Sequence, residues 1–195
     1  LTTIPSTDTQ LENQLLQIPG VQLNTVEVRT YPYGEVTSHL TGYMQQVTAE
    51  DLEKHQGEGY TETSMIGRSG IEAAYEKQLK GTNGATISIV DENGSTKSTV
   101  ATQEKQDGQD ITLTIDIDLQ RDLYNAFDED QSASVAMNPT NGEVLALVST
   151  PSFDSNDFIY GFSTEEWDAL NNDEDQPLTN RFRATWVPGS TMKGI

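Results

Sequence analysis

An apolar pattern of helical period set between stretches of strand character constrains this chain's fold more than any other feature. Leu119, Leu123, Ala126 and Phe127 recur at the spacing of one buried helix face, with Asp116 or Asp118 as the opening cap. Ile111–Ile115 precedes them as a strand. Ala133–Met137 and Glu143–Ser149 follow as two strands joined by Asn138-Pro139-Thr140-Asn141-Gly142. A helix set among antiparallel strand signals predicts an α+β architecture rather than a doubly wound parallel sheet.

The first half is as well punctuated. Residues 8–17 read as a helix with Leu11 and Leu15 on one face, closed by Pro19-Gly20. Val21–Thr30 alternates through Val21, Leu23, Val26 and Val28 and predicts a strand with one slip. Thr48-Ala49-Glu50-Asp51 and Ser69-Gly70-Ile71-Glu72 read as capping boxes. The second opens a helix that places Ile71, Ala74, Tyr75 and Leu79 on one face and stops at Gly81. Ala85–Asp91 and Ser95–Thr102 form a hairpin about Asn93-Gly94, a type I′ turn signal. The polar run Glu104–Asp110 marks a domain boundary, dividing the chain into residues 1–106 and 107–195. Ser163-Thr164-Glu165-Glu166 is a further capping box, opening a helix through Trp167 and Leu170.

Composition excludes several classes of function. The 195 residues contain no cysteine, so thiol catalysis and disulfides are ruled out. Asp and Glu number 31 against 11 Lys and Arg, a net charge of -20, which repels nucleic acid and anionic membrane surfaces. The runs Asp128-Glu129-Asp130 and Asp173-Glu174-Asp175 read as solvated loops. No apolar run is long enough to cross a membrane, and the chain opens at Leu1 and closes at Ile195 inside an apparent helix. The expectation is a segment of a longer protein.

One chemical motif stands out. Ser190-Thr191-Met192-Lys193 follows Pro188-Gly189 and sets a hydroxyl and an amine one helical turn apart. Such a spacing arises by chance roughly once in a chain of this length, so context decides its meaning. Pro188 cannot continue a helix from before it, which puts Ser190 at or near a helix N-terminus, where free N–H groups favour an oxyanion. Two readings share the spacing. One is a capping serine with a solvated lysine. The other is an acylating serine with lysine as its base, which needs the amine at least partly neutral. A first-turn lysine opposes the helix dipole, which counts slightly against the first.

Longer strings carry a resemblance. Arg29-Thr30-Tyr31-Pro32-Tyr33-Gly34, Ser38-His39-Leu40-Thr41-Gly42-Tyr43 and Gly67-Arg68-Ser69-Gly70-Ile71-Glu72 resemble boxes of the non-catalytic pedestal, or dimerisation domain, of class B penicillin-binding proteins. Leu113-Thr114-Ile115-Asp116, the run Gly142–Asp154 and Pro188–Lys193 resemble the start of their transpeptidase domain. The stretch from Phe158 to Phe182 looks closest to the low-affinity, β-lactam-resistant branch of Gram-positive bacteria.

The resemblance implies a pedestal over residues 1–106 and the first part of a penicillin-recognising domain, an antiparallel sheet with helices, over 107–195. It implies a peptidoglycan D,D-transpeptidase in which Ser190 is the nucleophile, Lys193 its general base and the Ser190 N–H an oxyanion donor. Its partners are stem peptides, β-lactams and, through the pedestal, cell-division or elongation proteins. The implied location is the extracytoplasmic face of the membrane, anchored by a helix outside this sequence. No cofactor or metal is implied. The family's Ser-x-Asn and Lys-Thr/Ser-Gly boxes do not occur in this sequence, so the chain by itself is expected not to acylate. Two other readings accompany this one: a non-catalytic spacer or interaction module, favoured for residues 1–106, and a serine β-lactamase or penicillin sensor. The pedestal boxes argue against the latter. His39 and His55 suggest no metal, and His39 reads as structural. Asp116/Asp118 and Glu165/Glu166 read as caps or surface charges, Arg68 and Glu72 as pedestal contacts, and Trp186 as a cleft wall or a core residue.

Overall fold

The computed structural model describes residues 3–187 and 189–193, with Thr191 described by its backbone alone. Helix α1, Thr9–Leu16, opens on Asp8, whose carboxylate accepts from Leu11 N–H. The predicted strand over 21–30 does not form. That segment has no regular secondary structure and pairs with no strand among the described residues, and Val26 and Val28 are exposed. Its alternation met no neighbour to pair with, and pairing is what turns extended chain into sheet.

A 3₁₀ turn, Gly34–Val36, and helix α2, Ser38–Thr41, come next. Strand β1, Met44–Gln46, pairs antiparallel with β2, Met65–Gly67, around helix α3, Ala49–Lys54. The Thr48–Asp51 capping box of α3 is complete. Arg68 also binds Asp51 through both terminal nitrogens at 2.9 and 2.7 Å, and this holds the carboxyl well below the usual range.

The second predicted box differs. Ser69 makes no capping bond, and the expected single helix breaks at Tyr75 into α4, Gly70–Ala74, and α5, Glu76–Lys80. Glu72 does not fold back on Ser69. Its buried carboxylate takes a 2.6 Å bond from Arg29 Nε instead. Backbone crowding explains the rest: a Cβ on Gly42 would collide with the Ser69 carbonyl, so the turn ending α2 and the turn starting α4 interlock only through glycine.

Strands β3, Ala85–Val90, and β4, Thr96–Gln103, form the expected hairpin with a different turn. Only Gly94 has positive φ, at 79°. Asp91 N–H donates to Ser95 and Gly94 N–H to Asp91, giving a three-residue loop in place of type I′. The Asp91 carboxylate accepts from Asn93 and Ser95 N–H and fixes this alternative.

Helix α6, Ile117–Phe127, is capped by Asp116. Its most buried positions are Gln120 and Tyr124, whereas Ala126 and Phe127 of the expected apolar face are exposed. It packs on the antiparallel pair β5, Ser132–Met137, and β6, Val144–Thr150. Residues 111–115 are not a strand. Asp116 N–H bonds Leu145 O at 2.8 Å and the Gln120 amide bonds Leu147, so these groups, and not a paired strand, take up hydrogen bonds along this edge of β6. Helices α7, Asp157–Tyr160, and α8, Thr164–Asn171, follow, the latter opened by the complete Ser163–Glu166 box. The α+β class stands, as helices around antiparallel pairs. Among the described residues no helix is long and apolar enough to cross a membrane.

The core lies where residues 31–43 meet the segment after β6. Buried Tyr31, Ala146, Val148 and Phe153 share it with buried Ser38, His39, Gln120, Ser149, Ser155 and Arg181. So many polar groups require hydrogen bonds, and they have them. Tyr31 exchanges two backbone bonds of 2.9 Å with the Asn156 amide, Ser155 Oγ donates to Gly42 O, and Ser38 meets Ser152.

Candidate active site

Ser190 and Lys193 share one turn at the end of a long tether. The 3₁₀ turn Gly189–Met192 carries Ser190, and Lys193 N–H closes onto Ser190 O at 3.2 Å. In a 3₁₀ turn residues i and i+3 eclipse, so hydroxyl and amine rise from the same face. The expected helix is this tighter turn over the described residues. Gly189, at φ 50°, supplies the left-handed step into it. Pro188, Gly194 and Ile195, on which the helix-start and helix-continuation readings also rested, lie outside the described residues. Ser190 and Lys193 are exposed, as are Trp186, Val187 and Met192 beside them. From Leu178 onward the chain carries Arg181, Arg183 and Lys193 and not one carboxylate side chain, against a net charge of -20 overall.

The tether is fastened to β6. Ser149 Oγ donates to Thr179 O and accepts Arg181 N–H at 3.0 Å. The Arg181 guanidinium is buried and donates to Asp175, Gln176 and Thr179 carbonyls. Trp186, read from sequence as a cleft wall or core residue, is not in the core: it is more than half exposed and its Nε1–H donates to Arg181 O at 2.8 Å. Sequence reasoning missed Arg181, Ser149 and Gln120. The available signal was polar residues at positions that pattern alone would leave apolar, such as Gln120 next to Leu119 on the inner face of α6.

His39 is structural. Its ring is buried edge-on to Phe153, with centroids 5.1 Å apart, and its Nε2–H donates to Pro177 O at 2.9 Å. Burial pushes its basicity down to about 4, with the Arg181 charge acting in the same direction and the carbonyl bonds opposing. In the unfolded chain the imidazole titrates near 6.5. Between these values the unfolded state takes a proton that the folded state refuses, so His39 withdraws stability as pH falls through 6.5, levelling out below 4. From about pH 7 to about pH 4.5 this amounts to roughly 2 kcal/mol. Urea midpoints measured across that range should fall less steeply in His39→Asn than in the wild type, and equal slopes would refute the assignment. His55 instead meets exposed Glu58 at 3.1 Å. Among the described residues no cluster of three His, Asp or Glu side chains could hold a metal. Asp116 and Glu166 act as caps, as expected.

A cavity of about 480 Å³ opens between His39, Tyr43, Phe153, Phe158, Trp167 and Arg183. Neither Ser190 nor Lys193 lines it.

Comparison with known proteins places these parts. Residues 5–113 match the model of the penicillin-binding protein dimerisation domain, and residues 132–195 that of the penicillin-binding protein transpeptidase domain. The chain is 44% identical over 186 residues to penicillin-binding protein 3 of Bacillus subtilis, covering 95% of this chain and 27% of that protein. It is 37% identical over 182 residues to the peptidoglycan D,D-transpeptidase MrdA of Escherichia coli, covering 91% and 29%. It thus spans less than a third of the length of these relatives. Among solved structures, Helicobacter pylori PBP2 in its complex with MreC superposes with a TM-score of 0.75 at 30% identity, covering 93% of this chain and 34% of that one. Pseudomonas aeruginosa PBP2 in complex with WCK 5153 gives 0.63 at 36%, covering 79% and 30%.

Proposed function

Because this chain belongs to the class B penicillin-binding protein family, with the family's dimerisation domain followed by its transpeptidase domain, we propose that it carries the nucleophile of a peptidoglycan D,D-transpeptidase. The observation that carries the reading is the single exposed turn that joins Ser190 to Lys193 within the transpeptidase match. Residues 1–106 serve as the pedestal and residues 107–195 begin the catalytic domain.

The reaction is acyl transfer. Ser190 Oγ attacks the carbonyl carbon of the penultimate D-Ala of a stem peptide, while Nζ of Lys193, as the free amine, accepts the hydroxyl proton. The Ser190 N–H supports the tetrahedral oxyanion. Collapse breaks the peptide bond, the proton passes to the departing D-Ala amine, and an ester remains on Ser190. An amine from a neighbouring strand then attacks that ester, gives up a proton and restores the serine hydroxyl. A β-lactam enters by the same first step, its ring amide standing in for the peptide bond. Exposed Arg183, in a stretch that carries no carboxylate side chain after Leu178, suits a substrate that ends in a carboxylate. Slow acylation, of the low-affinity type, is part of the proposal on the strength of the Phe158–Phe182 resemblance. So are an extracytoplasmic, membrane-anchored setting and a pedestal that meets an elongation protein, as MreC meets PBP2 in the H. pylori complex.

Intact-mass spectrometry of the full-length gene product after benzylpenicillin, with peptide mapping, tests the reading. A persistent adduct on Ser190 is expected, accumulating over minutes or longer. An adduct on another residue, or none at saturating drug, would overturn it. Rapid loss of the adduct would point to a β-lactamase.

A further inference from the structure

Arg181 is the least expected buried group in the molecule. Its relative exposure is 2%, yet among the described residues no carboxylate lies within ion-pair distance of it. A buried cation is costly unless its donors are satisfied. Here they are satisfied by backbone carbonyls of one loop. Nη1 donates to Gln176 O and Thr179 O, both at 3.3 Å, and Nη2 donates to Asp175 O. That loop needs holding, because Gln176 at its centre adopts a left-handed φ of 50°. The backbone of the same arginine faces the other way. Its N–H is fixed by Ser149 Oγ on β6, and its carbonyl accepts Ala184 N–H at 3.3 Å and Trp186 Nε1–H at 2.8 Å. Among the described residues the Trp186 bond is the last side-chain hydrogen bond before Ser190.

We propose that Arg181 is a positioning residue for Ser190, acting through Trp186: its guanidinium locks the 175–179 loop, its backbone is pinned to β6, and its carbonyl fixes the tether that delivers the Ser190–Lys193 turn. The inference rests on the reading of Ser190 as nucleophile. A planar guanidinium with several donors in fixed directions suits three carbonyls at once, and an ammonium does not reproduce that fork. Small misplacement of a nucleophile slows chemistry steeply while leaving initial substrate binding alone.

The test uses the full-length gene product and a chromogenic β-lactam, with rates resolved into the noncovalent dissociation constant and the first-order acylation constant, per titratable site. Arg181→Lys is expected to lower the acylation constant about 10- to 100-fold, with the dissociation constant changed by less than about twofold. Trp186→Phe removes one hydrogen bond from an exposed ring and keeps the fold safe. It should lower the same constant about 3- to 10-fold. A purely structural role would reduce the number of titratable sites and leave the acylation constant of the remaining ones unchanged. That outcome in both variants overturns the proposal while the Ser190 reading stands. Absence of any Ser190 adduct in the wild type would overturn both.

Discussion

Replacing Ser190 by alanine is expected to abolish the covalent β-lactam adduct, and replacing Lys193 by alanine to slow its formation by about 10³-fold. A serine hydroxyl is a weak nucleophile until a base takes its proton. Lys193 is the basic side chain on the same 3₁₀ turn. His39, another candidate base by residue type, is buried and spends Nε2–H on Pro177. Because the two residues act as a unit, the double variant should be no worse than Ser190→Ala alone. Lys193→Arg separates base from charge, since a guanidinium keeps the charge and does not deprotonate. It should be as slow as Lys193→Ala. Time courses of adduct formation by mass spectrometry read all four variants, and a wild-type rate in Lys193→Arg would show that Lys193 contributes charge and not proton transfer.

What was legible in the sequence, and what was not, divides along a physical line. Elements whose signal is local came through: the caps at Thr48, Asp116 and Ser163, the β3–β4 hairpin, the β5–β6 pair and the Ser190–Lys193 spacing. Elements that depend on a distant partner did not. Val21–Thr30 has the alternation of a strand but pairs with none among the described residues, and Ile111–Ile115 forms no strand, a side-chain amide taking the bonds along that edge of β6. Glu72 was drawn out of its capping box by Arg29, 43 residues away. The candidate site follows the same rule. The Ser190–Lys193 pair was legible because it is local, whereas the buried contacts around the tether join residues far apart in sequence, Ser149 with Arg181 and His39 with Pro177.

Gln120 is the sharpest instance, and its replacement should be the most damaging single change away from the Ser190–Lys193 turn. The side chain is 1% exposed. Its Nε2 donates to Val36 O and Leu147 O, both at 2.9 Å, and its Oε1 accepts Leu147 N–H at 2.8 Å. Leu147 turns both backbone groups away from β5, so the amide does for that edge of β6 what a neighbouring strand would do. It also ties the Gly34–Val36 turn to the catalytic-domain side of the molecule. Gln120→Leu keeps the volume and leaves two carbonyls and an N–H buried without partners, at about 1–3 kcal/mol each before relaxation. A loss on the order of 4 kcal/mol is expected, a large share of the whole stability of an ordinary domain. Gln120→Glu retains the acceptor and removes both donors, so it too should destabilise, and more at neutral pH than in mild acid, where the carboxyl regains one donor. Chemical denaturation of the three forms at two pH values decides the matter. A Gln120→Leu protein within about 1 kcal/mol of wild type would mean that water reaches this edge of β6 and that the amide is not what closes it.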